Sequence, residues 1–133
     1  MSPTQRTLAY LRSQGYTAAV TEHWNPHAKI RQDLFGFIDI IALGKGPIIA
    51  VQCTSGANHS ARVTKIVSDP KVSSCAMLWL KSCNSIAVIS WSKKGARGRL
   101  KKWEPRIQVL SFVDFPVPGS KPSAPIAAHL GSC

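Results

Sequence analysis

The sequence predicts an α/β protein with a mixed central sheet flanked by helices, in the order αβββα(α)ββ. Three observations predict it. Two apolar runs, residues 36–43 and 47–54, are joined by the tight turn Gly44-Lys45-Gly46-Pro47 and read as an antiparallel hairpin. Both runs are apolar over most of their length, the pattern of a sheet covered on both faces. Segments with helical signals lie on either side of this hairpin, and 44% of the chain is hydrophobic, enough for a real core in 133 residues.

In chain order, Ser2-Pro3-Thr4-Gln5 opens a helix. Ser2 is its cap, Pro3 suits the first helical position, and Gln5 completes a capping box. Leu8 and Leu11 share a face, and Gly15 is the stop. Residues 16–21 read as a strand with Glu22 at its end. Asn25-Pro26 breaks regular structure, so residues 25–34 are expected to form a loop carrying His27, Lys29, Arg31 and Asp33. After the central hairpin, Asn58 is placed as the cap of a helix over 59–68, with His59, Arg62 and Lys65 outward and Val63 and Ile66 inward. A second helix is expected over 71–83, a strand over 85–91, a basic segment, and a last strand over 107–112. Residues 1–115 then make one domain, and 116–133 a proline-rich C-terminal extension.

Charge narrows the function. Seventeen Lys and Arg against six Asp and Glu give +11, which implies a polyanionic partner, with nucleic acid ahead of an anionic membrane surface. Seven of those cations fall between Lys93 and Arg106. Lys93, Lys94, Arg97, Arg99, Lys101 and Lys102, with Lys29, Arg31 and Arg62, are the expected nucleic-acid contacts. No apolar run of about 18 residues exists to span a membrane. The N-terminus lacks a basic-then-apolar signal design, and the four cysteines lack the paired spacing of a zinc site. They read as reduced thiols of an intracellular protein, cytoplasmic or nucleoid-associated.

Against that basic background, three of the six acidic residues, Glu22, Asp33 and Asp39, fall within one short stretch. Asp39 interrupts the run Phe37-Ile38-Asp39-Ile40-Ile41. A lone buried carboxylate costs several kcal/mol, so it needs a partner, and a cation is a common one. Neighbouring strands lie about 4.8 Å apart, close enough for acids at the same strand ends to share an ion. Magnesium takes oxygen ligands, which Asp39, Glu22, the Gln52 side chain and the Cys53 carbonyl can supply.

These residues resemble the PD-(D/E)XK nuclease superfamily, and within it the archaeal Holliday-junction resolvases and related phage-type nucleases. The resemblance covers about residues 3–91 and rests on Glu22, on Asp39 at the head of its apolar strand, and on Gln52-Cys53-Thr54 in the next strand. Gln52 stands where the family has an acid and Thr54 where it has a lysine. The resemblance implies a restriction-endonuclease-like fold, Mg²⁺- or Mn²⁺-dependent hydrolysis of DNA phosphodiester bonds, branched DNA among its substrates, and a homodimer. It makes Asp39 the main metal ligand, helped by Glu22 and Gln52, with Asp33 restoring the acid that Gln52 removes. Glu22, Asp39, Gln52, Thr54 and Lys65 become the catalytic set, Lys65 replacing the lysine lost at Thr54 and Lys29 standing second for that role. The alternative is a catalytically inactive nucleic-acid-binding module on the same fold.

Overall fold

The computed structural model describes residues 1–116. Helix α1, Pro3–Ser13, starts at Ser2, whose Oγ accepts the Gln5 N–H at 3.2 Å while the Gln5 side chain accepts the Ser2 N–H at 3.4 Å. Strand β1, Thr17–Val20, follows. The expected loop over 25–34 is instead a small two-stranded sheet of β2, His23–Asn25, and β3, Ile30–Gln32. The Asn25 side-chain oxygen accepts the N–H groups of His27 and Ala28, at 3.0 and 3.1 Å. Asn25-Pro26 therefore makes a hairpin turn where a break was expected.

Strand β4, Ile40–Leu43, pairs antiparallel with both β1 and β5, Ile49–Ser55. It begins later than expected because residues 34–38 turn back on themselves, with Leu34 bridged to Ile38. A 3-10 turn, Gly56–Asn58, leads into α2, His59–Ser68. Asn58 makes no side-chain capping bond there. Gly56 passes so close to β6 that a Cβ would land on the Ser92 side chain. Asp69 ends α2 and caps α3, Pro70–Lys81, accepting the N–H groups of Lys71 and Val72 at 3.1 and 3.2 Å. Strand β6, Ser85–Lys94, runs parallel to β5 and antiparallel to β7, Lys102–Leu110. The last strand thus starts earlier than residue 107, and much of the basic segment forms the limbs of a hairpin.

The main sheet has five strands in the order β1-β4-β5-β6-β7. Alternation along the central strands sorts the core into two layers. Ala50, Ile86 and Val88 pack with Phe37, Ile38, Ile66, Val72 and Ala76 on the α2–α3 face. Val51, Cys53, Ala87, Ile89 and Trp91 pack with Leu11 on the α1 face. The Trp91 indole N–H donates to Thr7 Oγ1 at 2.9 Å, fastening α1 to β6. Helices on both faces of a mixed sheet are what the doubly apolar hairpin predicted.

Cys53 and Cys75 are free thiols, but Cys83 is disulfide-bonded, which corrects the expectation of four reduced cysteines. Cys83 lies exposed just past α3, where a thiol can be reached for pairing. Among the described residues no helix is long and apolar enough to cross a membrane. The expected extension lies outside the described residues beyond Pro116.

Candidate metal centre

The site forms at one end of the sheet. Past β1, the Thr21 N–H donates to the Asp39 carbonyl at 2.8 Å and Thr21 Oγ1 donates to the Ile38 carbonyl at 2.9 Å. This extra rung carries Glu22 alongside Asp39. The Asp39 N–H in turn donates to the Val51 carbonyl at 2.9 Å, so β5 holds Asp39 from the other side. Asp33 arrives from the end of β3. Glu22, Asp33 and Asp39 thereby place one ligand oxygen each within 4.8 Å of one another.

Asp39 is 3% exposed. Its Oδ2 accepts the Gln52 side-chain N–H at 2.6 Å and the Cys53 main-chain N–H at 2.7 Å. Gln52 Nε2 also lies 3.4 Å from Asp33 Oδ2. Burial pushes the Asp39 carboxyl up to about 8. A shared hydrogen bond with Asp33 and the charges of Asp33 and Glu22 push the same way, and the Cys53 N–H opposes them. The site therefore holds more negative charge than its surroundings can solvate.

Among the described residues the other end of the Gln52 amide has no partner. Gln52 is 2% exposed, and its Oε1 is buried without a hydrogen bond. An unsatisfied buried acceptor costs about 1–3 kcal/mol, so such an atom calls for an explanation. It belongs to the amide whose nitrogen bonds Asp39 and Asp33, and an oxygen is the donor type that hard cations take. The residues present fit a magnesium-like ion.

These groups line a cleft of about 610 Å³ together with Arg31, Arg62 and Lys65. Arg31 reaches Glu22 at 3.3 Å from an exposed position. Arg62 and Lys65 come from successive turns of α2, and both face the cleft as the outward face of that helix predicted.

Other expected residues lie elsewhere. Thr54 is 6% exposed and does not line the cleft, so the position matching the family lysine contributes nothing to it. Lys29 sits exposed in the β2–β3 turn with φ 53°, also away from the cleft. Lys93, Lys94, Arg97, Arg99, Lys101 and Lys102 are exposed along the β6–β7 hairpin. That hairpin leaves the sheet at the same end as the carboxylates, because β6 runs parallel to β5.

His59 corrects the reading of α2. It was expected to face outward but is 1% exposed, with Nδ1 2.7 Å from Ser90 Oγ and Nε2 2.9 Å from Gln108 Oε1. The signal was available: His59 lies four residues before Val63 and seven before Ile66, on the same helical face. Sequence reasoning also missed Thr4, which lines the cleft from the first turn of α1 and has no local signature.

No family model, no curated protein and no solved structure matches this chain, so the reading of the site rests on its own geometry.

Proposed function

We propose that the protein is a metal-dependent endonuclease that hydrolyses DNA phosphodiester bonds. The observation that carries this reading is the cluster of Glu22, Asp33 and Asp39, the last two bonded by a buried Gln52 amide whose oxygen lacks a partner among the described residues. Asp39, Glu22, Gln52 and Asp33 hold Mg²⁺ or Mn²⁺. A hard cation at this point supplies an activated water and neutralises charge on a phosphoryl oxygen. The chain supplies the rest. Lys65 and Arg62 face the carboxylates across the cleft and offset the charge that develops on the scissile phosphate. Lys65 takes the part of the lysine that Thr54 does not provide. The basic hairpin holds the nucleic-acid backbone beyond the cleft. Branched DNA belongs to the proposed substrates, and symmetric cutting of it calls for a homodimer. A DNA substrate places the protein in the cytoplasm or at the nucleoid.

The test is cleavage of labelled single-stranded, duplex, flap and four-way DNA with Mg²⁺ or Mn²⁺, beside Asp39→Asn. Metal-dependent cutting that disappears in the variant supports the reading. One specific observation favours the second reading, an inactive nucleic-acid-binding module: Thr54 is buried outside the cleft. Binding without cutting, unchanged by metal or by Asp39→Asn, selects that module.

A further inference from the structure

Among the described residues, the β6–β7 hairpin extends past the other strands of the sheet. Strand β5 ends at Ser55, opposite Trp91. Beyond that point β6 and β7 pair only with each other, through Ser92↔Glu104, Lys93↔Trp103 and Lys94↔Lys102. At about 3.3 Å per residue, the two-stranded arm and its turn project roughly 20 Å past the end of β5.

The arm has a definite construction. Its turn is closed by the Arg99 N–H donating to the Ala96 carbonyl at 3.0 Å, and Gly98 takes the left-handed conformation there, φ 81°. Its base is fixed. The Arg6 guanidinium lies 3.9 Å from the centre of the Trp103 ring and the Lys93 ammonium 5.4 Å from it. Arg6 belongs to α1, whose Thr4 lines the cleft, so the direction of the arm is tied to the carboxylate site. Lysines lie on both limbs and arginines at the turn. Between Arg99 and Lys101 stands Leu100, 87% exposed.

We propose that this arm enters the minor groove of duplex DNA and that Leu100 wedges into a base step there. The lysines on both limbs match the phosphates on either side of a groove. Arg97 and Arg99, at the narrow turn, suit the strongly negative minor groove. A leucine carried by flanking cations finds its one apolar environment on DNA between bases. Insertion of such a side chain unstacks the step and kinks the duplex, which gives the protein more backbone to contact. The DNA substrate rests on the function proposed above; the insertion is an addition to it.

The experiment uses the full chain with duplexes carrying 2-aminopurine at successive positions, without divalent metal so that nothing is cut. Binding is expected to raise fluorescence at one or a few positions. Leu100→Ala is expected to remove that rise while affinity stays within about tenfold, because the phosphate contacts remain. Leu100→Met is expected to keep it. Lys101→Ala is expected to keep the rise and to lower the slope of log K against log salt by about 1. A duplex that stays dark with the wild type, or a rise that Leu100→Ala leaves intact, overturns the proposal. So does a rise of the same size on an RNA duplex of the same sequence, whose grooves do not offer the B-form minor groove.

Cleavage of the same duplexes with Mg²⁺ is scored separately. Fluorescence without cleavage keeps the wedge and removes the nuclease, and cleavage without fluorescence does the reverse.

Discussion

At the residue scale, Asp39 sets the site's response to pH. Its native carboxyl keeps its proton to about 8, against 3.8 for the ordinary group. Between those values the native state binds more protons than the unfolded one, so stability falls as pH rises through the window. Without metal, urea denaturation is expected to show lower stability at pH 8 than at pH 5. Asp39→Asn keeps an oxygen for the Cys53 and Gln52 donors but cannot ionise. It is expected to flatten this dependence and to be more stable than wild type at neutral pH, by an amount on the order of a few kcal/mol. Metal binding must displace the Asp39 proton, so Mg²⁺ affinity measured by calorimetry should rise with pH up to about 8 and then level off. Lys65→Ala belongs to the same scale. On the proposed nuclease reading, loss of this cation is expected to lower kcat by roughly 10²–10³-fold with a smaller effect on DNA binding. Equal loss in both would make Lys65 a binding residue only.

At the element scale, helix α2 is held by polar contacts that its outward face conceals. His59→Ala leaves Ser90 Oγ and Gln108 Oε1 facing a cavity, and is expected to cost about 2–4 kcal/mol in the urea midpoint analysis. Asp69→Ala removes the cap of α3 and is expected to cost about 1 kcal/mol by the same measurement. The elements also show what a sequence makes legible. The β4–β5 hairpin was legible because apolar runs and a Gly-Pro turn are local signals. The β2–β3 hairpin was not, because its strands are short and exposed and its turn depends on a side chain bonding forward to His27 and Ala28. The limbs of the β6–β7 arm were blurred for a related reason. Among the described residues they are mostly exposed beyond Trp91, so no alternation of apolar and polar residues marks where pairing begins.

At the scale of the whole molecule, the meeting of Glu22, Asp33 and Asp39 was legible in the sequence, and the path that brings Asp33 to it was not. Asp39 stood out against apolar neighbours, yet its contact with Asp33 depends on the unrecognised β2–β3 hairpin returning to the sheet end. Thr54 took the place of a lysine by spacing alone, and its burial away from the cleft is a matter of tertiary packing that spacing does not encode. The parallel pairing of β5 and β6 then sets the basic arm and the acidic centre at one edge. On the proposed reading, DNA affinity depends steeply on ionic strength. With a slope of about −0.9 per phosphate neutralised, contact through the arm lysines and arginines gives a slope near −5 in a plot of log K against log salt. A slope shallower than about −2 would exclude the arm as the main contact.

That same parallel pairing bears on how the chain comes off the ribosome. Every carboxylate of the acidic cluster lies in the first 39 residues, and β5 is complete at Ser55, but its partner β6 begins only at Ser85. Until β6 is made, β5 is a bare, apolar edge, the kind that recruits strands from neighbouring chains. A truncation ending before Ser85 therefore keeps all three acids and is expected to aggregate, so the acidic cluster is no detachable minimal unit. The crossover helices α2 and α3 must be synthesised and packed first.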